Sequence, residues 1–411
     1  MSEKNSNIRV VIGLSGGVDS SVAAWLLKEQ GYDVAGLFMI NWHDTTGTLA
    51  GDCPWYDDRM FAELVAKRLD IPFHVVDLSE HYRTRVVDYI FTEYEKGRTP
   101  NPDVLCNREI KFDLFLQEAL KLGAEFVATG HYCRREEVAA EGERPVQRLL
   151  AGIDKNKDQS YFLCQLSQEQ LSRALFPIGE LEKPEVRCIA AEQKLATAAR
   201  KDSQGICFVG KIDLPTFLQQ KLTARTGDII EIPAAWEGYA LRTAREKALP
   251  WDASAPAQET LESLSEPYVY APSDGVKAGE HRGAHFFTVG QRKGLSVGGK
   301  AEPLFVIATD VERNIVYVGQ GQGHPGLYQR GLHIRPQEMH WVRPDRALSP
   351  GESGRFSLRI RYRQPLQEGV LYMTEMGGYL IFDRPQRGIT PGQFAAWYDG
   401  EEVVGSGVIE A

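Results

Sequence analysis

The chain has 411 residues, of which 43% are hydrophobic and 25% charged, and a formal net charge of −9 at pH 7. That length implies two or three domains of ordinary globular composition rather than one core. No apolar run is long enough to span a membrane, no apolar secretory stretch follows Met1, and the acidic sum disfavours a nucleic-acid partner unless basic residues cluster locally.

Residues 8 to about 131 alternate between strand and helix patterns. Strand-like runs are Ile8–Leu14, Val34–Ile40, Phe73–Leu78 and Glu125–Thr129, and helical patterns cover 20–30, 57–69, 83–96 and 110–122. Gly31 and Gly123 fit the positions just past two helix ends. The alternation predicts a doubly wound parallel sheet, with ligands bound beyond the C-terminal strand ends. Between the first strand and the first helix lies Ser15-Gly16-Gly17-Val18-Asp19-Ser20-Ser21. Glycines let the backbone approach an anion, the first helical turn aims its N–H groups at it, and the serines add hydroxyl donors. Asp19 would repel bare phosphate and makes sense with a Mg²⁺ ion between them. The spacing is neither that of a Walker loop nor that of a dinucleotide fingerprint. The plainer alternative is a Gly/Ser turn before an ordinary helix.

Next comes Gly97-Arg98-Thr99-Pro100-Asn101-Pro102-Asp103-Val104-Leu105-Cys106-Asn107. Two prolines around Asn101 predict a stiff, nonhelical loop. Asp103 lies three residues before Cys106, close enough for a base beside a thiol; a helix N-cap at Asp103 with a buried cysteine fits equally. Residues 147 to about 210 continue the first domain with less regular structure, and Lys183-Pro184-Glu185-Val186 looks like a helix start. In Lys201–Gly210 a polar, glycine-containing loop leads to Cys207 and an apolar strand, which taken alone suits a core cysteine.

After Phe217, Pro and Gly become frequent and the βα alternation stops. Residues 233–280 read as an insertion of loops and short helices. His285–Val289, Phe305–Thr309 and Ile315–Val318 are strand candidates of a small β-rich domain, and 326–411 suggest a small barrel or sandwich. Within it, Phe356 to Arg363 alternates, so that as one strand Arg359, Arg361 and Arg363 share a face suited to phosphates or a base. Gln291-Arg292-Lys293-Gly294 is a second basic site. The six cysteines form no C-x-x-C pair and no Cys/His zinc spacing, so they are buried hydrophobes or reactive thiols, and no metal-ligating residues are assigned. His131, beside Gly130, is expected to be structural.

The glycine loop resembles the SGG-x-DS loop of the PP-loop ATP pyrophosphatases, which adenylate a carbonyl oxygen. The stretches GLSGGVDSSVAAWLL, LFMINW, GRTPNPDVLCNREIKF, VATGHY, KNKDQSYFL, KDSQGICFVG, HFFTVGQRKGL and RIRYRQP together resemble the tRNA-specific 2-thiouridylase family over nearly the whole chain. The departures are 233–280 and Thr45–Asp52. The resemblance implies a PP-loop domain at 1–215, a small β-rich, tRNA-contacting domain at 216–325 with an insertion at about 233–280, and a β-barrel-like domain at 326–411. It implies ATP, with Mg²⁺, on Gly13, Leu14, Ser15, Gly16, Gly17, Val18, Asp19 and Ser20, with Met39 and Gly130 flanking adenine and ribose. It places Asn101, Pro102 and Asp103 on the target base, Cys106 as nucleophile, Cys207 as persulfide carrier, and Lys157, Asp158, Gln159, Arg361 and Tyr362 on tRNA. Adenylation of uracil C2, sulfur transfer and a Cys106–Cys207 disulfide would follow, with Asp103 handling a proton. The partners implied are tRNAs for Lys, Glu and Gln, a cysteine desulfurase or relay protein, and a thiol reductant, all in the cytoplasm. The rivals are a nitrogen-transferring PP-loop ligase, which needs no cysteine pair, and a noncatalytic tRNA-binding or sulfur-relay protein.

Overall fold

The computed structural model describes residues 5–43, 55–139, 145–201, 214–249 and 256–410. The first unit opens with β1 (Arg9–Gly13), α1 (Val18–Glu29), β2 (Asp33–Ile40), α2 (Tyr56–Leu69) and β3 (Phe73–Asp77). A continuous helical rod follows, α3 (Ser79–Tyr82) running through a π-helical turn, Arg83–Val87, into α4 (Asp88–Glu95). A second rod joins α5 (Pro102–Leu105), a π-helical stretch at Cys106–Leu114 and α6 (Phe115–Lys121). Then come β4 (Phe126–Ala128), the strands β5 (Cys133–Val138) and β6 (Val146–Ala151), α7 (Gln168–Ser172), β7 (Ala174–Leu175) and α8 (Lys183–Glu192).

The five strands β3-β2-β1-β4-β7 form a parallel sheet in that order. Its two faces are buried against different helices. Val10, Ile12 and Leu14 pack with α1, α2 and α8, whereas Val11, Leu37 and Met39 pack with α4, α5 and α6. Alternation along each strand produces this division. α1 stops where Gly31, at φ +86°, donates to Lys28 O while Tyr32 N–H reaches back to Leu27 O; Gly123 at φ +80° ends the second rod in the same region of backbone space. Both rods start earlier than their apolar periodicity suggests, at Ser79 and Pro102. Pro102 in the first turn is tolerated because its missing N–H has no intrahelical acceptor there.

The middle of the chain holds α9 (Leu214–Leu218), β8 (Gly227–Glu231), α10 (Glu237–Ala248), α11 (Gln258–Ser265), β9 (Val276–His281), β10 (Leu304–Asp310) and β11 (Ile315–Gln320). Four of these make a sheet in the order β10-β11-β8-β9. The segment 233–280 thus supplies two helices and most of an integral strand. The strand expected at His285–Val289 does not form; a 3₁₀ turn at Ala284–Phe286 takes its place, with Ala284 N–H bound by the Asn314 side chain at 2.9 Å.

The last part contributes β12 (Tyr328–Ile334), β13 (Met339–Trp341), β14 (Ser353–Arg359), β15 (Gln367–Thr374), β16 (Gly377–Arg387), β17 (Phe394–Asp399) and β18 (Glu402–Val408). Their order is β12-β16-β15-β14-β17-β18, with β13 also on β18, and Glu410 N–H returns to His333 O of β12. The same sheet continues through β6 and β5, since Glu402 and Val403 pair with Leu150 and Leu149. Buried Glu402 takes Arg148 at 3.0 Å and Arg343 on this seam. A hairpin from the first unit is therefore part of the C-terminal sheet.

Candidate functional site

α1 begins just after β1, and its N-cap, Gly17, offers no side-chain acceptor, so no side chain caps the first-turn N–H groups. Gly16 sits at φ +74°, and a Cβ there would lie 2.2 Å from Asp58 O. A Cβ on Gly130 would lie 2.6 Å from Ser20 N. Both glycines are thus required by close backbone approach. Ser20 Oγ accepts from Ser15 N–H at 3.2 Å and donates to Gly17 O at 3.2 Å, bracing the loop from inside. Arg200 braces it from outside, donating to Gly16 O and to the Asp58 carboxylate, each at 2.8 Å. Met39 reaches the start of the loop, its Cε 3.8 Å from the Cβ position of Gly13.

Asp19 does not face open solvent alone. Lys183 Nζ lies 2.7 and 2.9 Å from its two oxygens, and Tyr132 OH donates to it at 2.8 Å. The Lys183 side chain is only 10% exposed. A cation is therefore built into the anion cradle from the first turn of α8, and a Mg²⁺ ion is not the only account of Asp19. In the sequence Lys183 signals a helix start and nothing more, because its partner is 164 residues away.

The stretch around Cys106 is helical, contrary to the stiff nonhelical loop expected. Asn101, not Asp103, is the N-cap: its side chain accepts from Val104 N–H at 3.3 Å. Only Arg98 to Asn101 lie outside helix and turn, Asn101 itself being extended, and Pro102 and Asp103 occupy the first helical turn. Cys106 starts the π-helical stretch and is fully buried, in the same cluster as Met39 and Phe115. Phe115 also reaches within 3.5 Å of the Gly13 Cβ position. The thiol helix therefore reaches the Gly13 end of the loop from the face of the sheet opposite α1 and α8. Widened helical turns of this kind recur at functional sites. Asn107 Nδ2 donates to Asp103 O and to Phe162 O, tying the helix to the 157–163 segment.

Three distant segments meet at Asn101. Asn101 Nδ2 donates to Gln393 Oε1 at 3.3 Å, and Gln393 Nε2 donates to Thr99 O and Pro100 O at 3.0 and 3.2 Å. The Thr99 hydroxyl pairs with that of Thr288 at 3.1 Å. Beside this knot is a 280 Å³ cavity lined by Thr288, Val289, Gly290, Gln291, Arg361, Thr390 and Gln393. The arginine strand is shorter than expected: β14 stops at Arg359, and residues 361–364 turn. The three arginines therefore part company. Arg359 pairs with buried Asp158 at 3.0 Å, Arg361 is clamped by Val289 O, Gly388 O and Thr390 Oγ1 within 3.0 Å, and Arg363 is exposed, as are Arg292 and Lys293.

Asp158 also accepts from Gly152 and Ser160 N–H, so its carboxylate fixes the loop. Gln159 Oε1 holds Tyr132 N–H at 3.0 Å, while Lys157 is half-buried nearby. The Tyr362 ring lies 4.2 Å from that of Phe162, joining the turn to the same loop. Sequence reasoning missed Gln393, Thr288 and Lys183, none of which stands in a local pattern of its own.

Cys207 and the segment Thr45–Asp52 lie outside the described residues. Among those described, Cys106, Cys133, Cys164 and Cys188 are in no disulfide. Burial pushes the Cys164 thiol up to about 12 and raises that of Cys133 well above its ordinary value, so both are inert hydrophobes. Burial, with Lys111 second, lowers His131 well below the usual imidazole range, and Thr129 holds its Nδ1 at 2.7 Å. Among the described residues no three His, Cys, Asp or Glu side chains gather as a metal site, and no helix is long and apolar enough to cross a membrane.

Three family models match in order: a tRNA methyl transferase HUP domain at residues 8–211, a PRC-barrel domain of that family at 258–320, and an aminomethyltransferase β-barrel domain at 332–409. Near-full-length relatives carry a different word in their names. The tRNA-specific 2-thiouridylase MnmA of Christiangramia forsetii is 60% identical over 401 residues, covering 98% of this chain and 99% of its own. That of Flavobacterium johnsoniae is 58% identical with the same coverage, and that of Bacillus subtilis is 43% identical over 411 residues, covering 100% of this chain and 97% of its own.

Proposed function

This chain belongs to the tRNA-specific 2-thiouridylase family, and from that premise we propose that it replaces the C2 oxygen of the wobble uridine in tRNA with sulfur at the expense of ATP. The observation that carries this reading is the meeting at the end of β1: an uncapped helix N-terminus with its buried lysine on one face of the sheet, and a buried thiol helix that reaches Gly13 from the other. A nitrogen-transferring ligase has no use for the second element.

The nucleotide supplies an adenylyl group that makes the C2 oxygen a leaving group. The chain's own residues do the rest. Gly13 to Ser20 bind the phosphates, and Lys183 offsets their charge as Asp19 releases it. Met39 and Gly130 border the nucleoside. The cradle fits that group, because no side chain caps the first-turn N–H groups of α1 and the Lys183 ammonium stands beside them on Asp19. Mg²⁺ fits as an ion borne by the nucleotide, with Asp19 as its protein ligand, since no ready-made cage exists among the described residues. Asn101 to Asp103 hold the target base, and the Asp103 carboxylate takes a proton from uracil N3 or a thiol.

Sulfur arrives as the outer atom of a persulfide on Cys207. The new C–S bond forms as the C2–O bond to AMP breaks. The Cys106 thiolate then attacks Cys207 Sγ, breaking its bond to the transferred sulfur, which leaves as the 2-thiouridine sulfur, and forming the Cys106–Cys207 disulfide, to which an external thiol returns two electrons. The chain is on this reading a tRNA sulfurtransferase of the cytoplasm, acting on the tRNAs for Lys, Glu and Gln and loaded by a desulfurase or relay protein. Its units are 1–215, 216–325 and 326–411, and RNA lies across Lys157–Gln159, Arg361, Tyr362 and the exposed Arg292, Lys293 and Arg363.

The test combines unmodified tRNA, ATP, Mg²⁺ and sulfide, reading 2-thiouridine by nucleoside mass spectrometry and AMP release in parallel. Thiouridine that requires ATP and vanishes in Cys106→Ser is the expected result. AMP release without thiouridine would return the chain to the nitrogen-transferring ligases.

A further inference from the structure

At the C-terminal end of β2, Asn41 is 1% exposed, yet neither its Nδ2 nor its Oδ1 has a hydrogen-bond partner among the described residues. The next residue, Trp42, is also buried and its Nε1 has no partner among the described residues, although its ring packs against Tyr82 and Phe217. A buried amide with both ends unmet is rare and unfavourable, so its retention calls for a partner that arrives from outside.

The position says what kind of partner. Gly13 pairs with Leu37, so β2 runs on beyond the last residue of β1, on the side of the sheet edge where the glycine loop begins. Asn41 follows Leu37 by four residues, or about 13 Å along an extended chain. That is a separation a nucleotide spans between its phosphates and its base. Continuing the strand's alternation, Asn41 shares the face of Met39, whose Cε reaches the Gly13 end of the loop.

We propose that Asn41 is the base-reading residue of the nucleotide site and selects adenine. Its Oδ1 accepts from the 6-amino group while its Nδ2 donates to the neighbouring ring nitrogen, the pairing that a carboxamide makes with adenine. Guanine presents a carbonyl where adenine has the amine, which sets two acceptors against each other. This rests on the assignment of Gly13–Ser20 as the ATP loop.

The test is equilibrium binding and thermal melting of the full chain with Mg-ATP and Mg-ITP, for the wild type, Asn41→Leu and, should leucine not fit, Asn41→Ala. ITP lacks the amine but keeps the rest of the purine. Wild type binds ATP more tightly than ITP. In the variants ATP affinity falls roughly ten- to hundredfold to the ITP level. The ligand-free melting temperature of Asn41→Leu stays level or rises, because an unmet polar group has been removed. Unchanged ATP affinity in the variants, with a lowered melting temperature, would make Asn41 structural and overturn the proposal. So would unchanged ATP affinity with a raised KM for tRNA, which would make it a reader of RNA. Absence of ATP binding in the wild type would instead sink the assignment of the loop itself.

Discussion

The Gly13–Ser20 loop and the knot at Asn101, the two regions to which the proposed reaction is assigned, are built in opposite ways. The loop is nearly a single run of chain: Gly13 to Ser20 carry the turn, the donors and the carboxylate, and Tyr132, Lys183 and Arg200 are brought in from afar. The knot has almost nothing local. Asn101 and Thr99 are positioned by Gln393, nearly three hundred residues on, and by Thr288. A contiguous site can be damaged only by touching it, whereas an assembled site also registers the arrangement of the units that build it.

The sharpest break should come at the cation of the loop. Lys183→Met removes the ammonium beside Asp19 and should lower AMP release by roughly 10²–10³-fold, with tRNA binding retained. Equal AMP release would make the pair a structural bridge. Gly16→Ala attacks the same region through the backbone. Left-handed φ alone costs about 1–3 kcal/mol, and the clash with Asp58 O adds to it. ATP affinity and melting temperature should fall together.

Gln393→Leu tests the assembled site. Three hydrogen bonds of about 1 kcal/mol each disappear, so stability should fall by about 2–3 kcal/mol. KM for tRNA should rise while ATP affinity holds. If ATP affinity moved as much, the two regions would not be separable. His131 offers a pH handle near Gly130. Its folded pKa is depressed, so below about 6.5 the unfolded chain takes up a proton that the native state refuses. Stability should therefore be complete above that pH and decline on acidification, by up to about 1.4 kcal/mol per pH unit. Denaturant midpoints at neutral and mildly acidic pH check this, and His131→Gln should flatten that part of the dependence. The smallest effect concerns the rim: Arg292→Ala and Lys293→Ala should each reduce the slope of tRNA affinity against salt by about one, without altering ATP binding.

This contrast also explains what was legible before the structure. The parallel sheet was, because Ile8–Leu14 and Val34–Ile40 are apolar runs bounded by glycines, and period and punctuation are local properties. So was the glycine turn that joins β1 to α1. The start of the thiol helix was not, since Pro100 and Pro102 look like breakers, while only Pro102 enters the helix and Asn101 caps it. The arginine run misled for a related reason. Its alternation is real up to Arg359, but at Arg361 three acceptors from other segments outweigh strand geometry and turn the chain. Lys183, Gln393 and Thr288 act only through distant partners, and no window of sequence contains those.

The hairpin β5–β6 has a consequence for how the molecule is made. Arg148 and its partner Glu402 are 254 residues apart, so the hairpin leaves the ribosome long before the strand that completes its sheet. Until β18 emerges, β6 presents an open row of amides and carbonyls, the kind of edge that recruits other chains. Nascent chains stalled before the last strands should thus be sticky at that edge, and a fragment ending after the first unit should need a chaperone or a supplied C-terminal fragment to stay dispersed. Synthesis of this protein is complete only when its end has closed over its beginning.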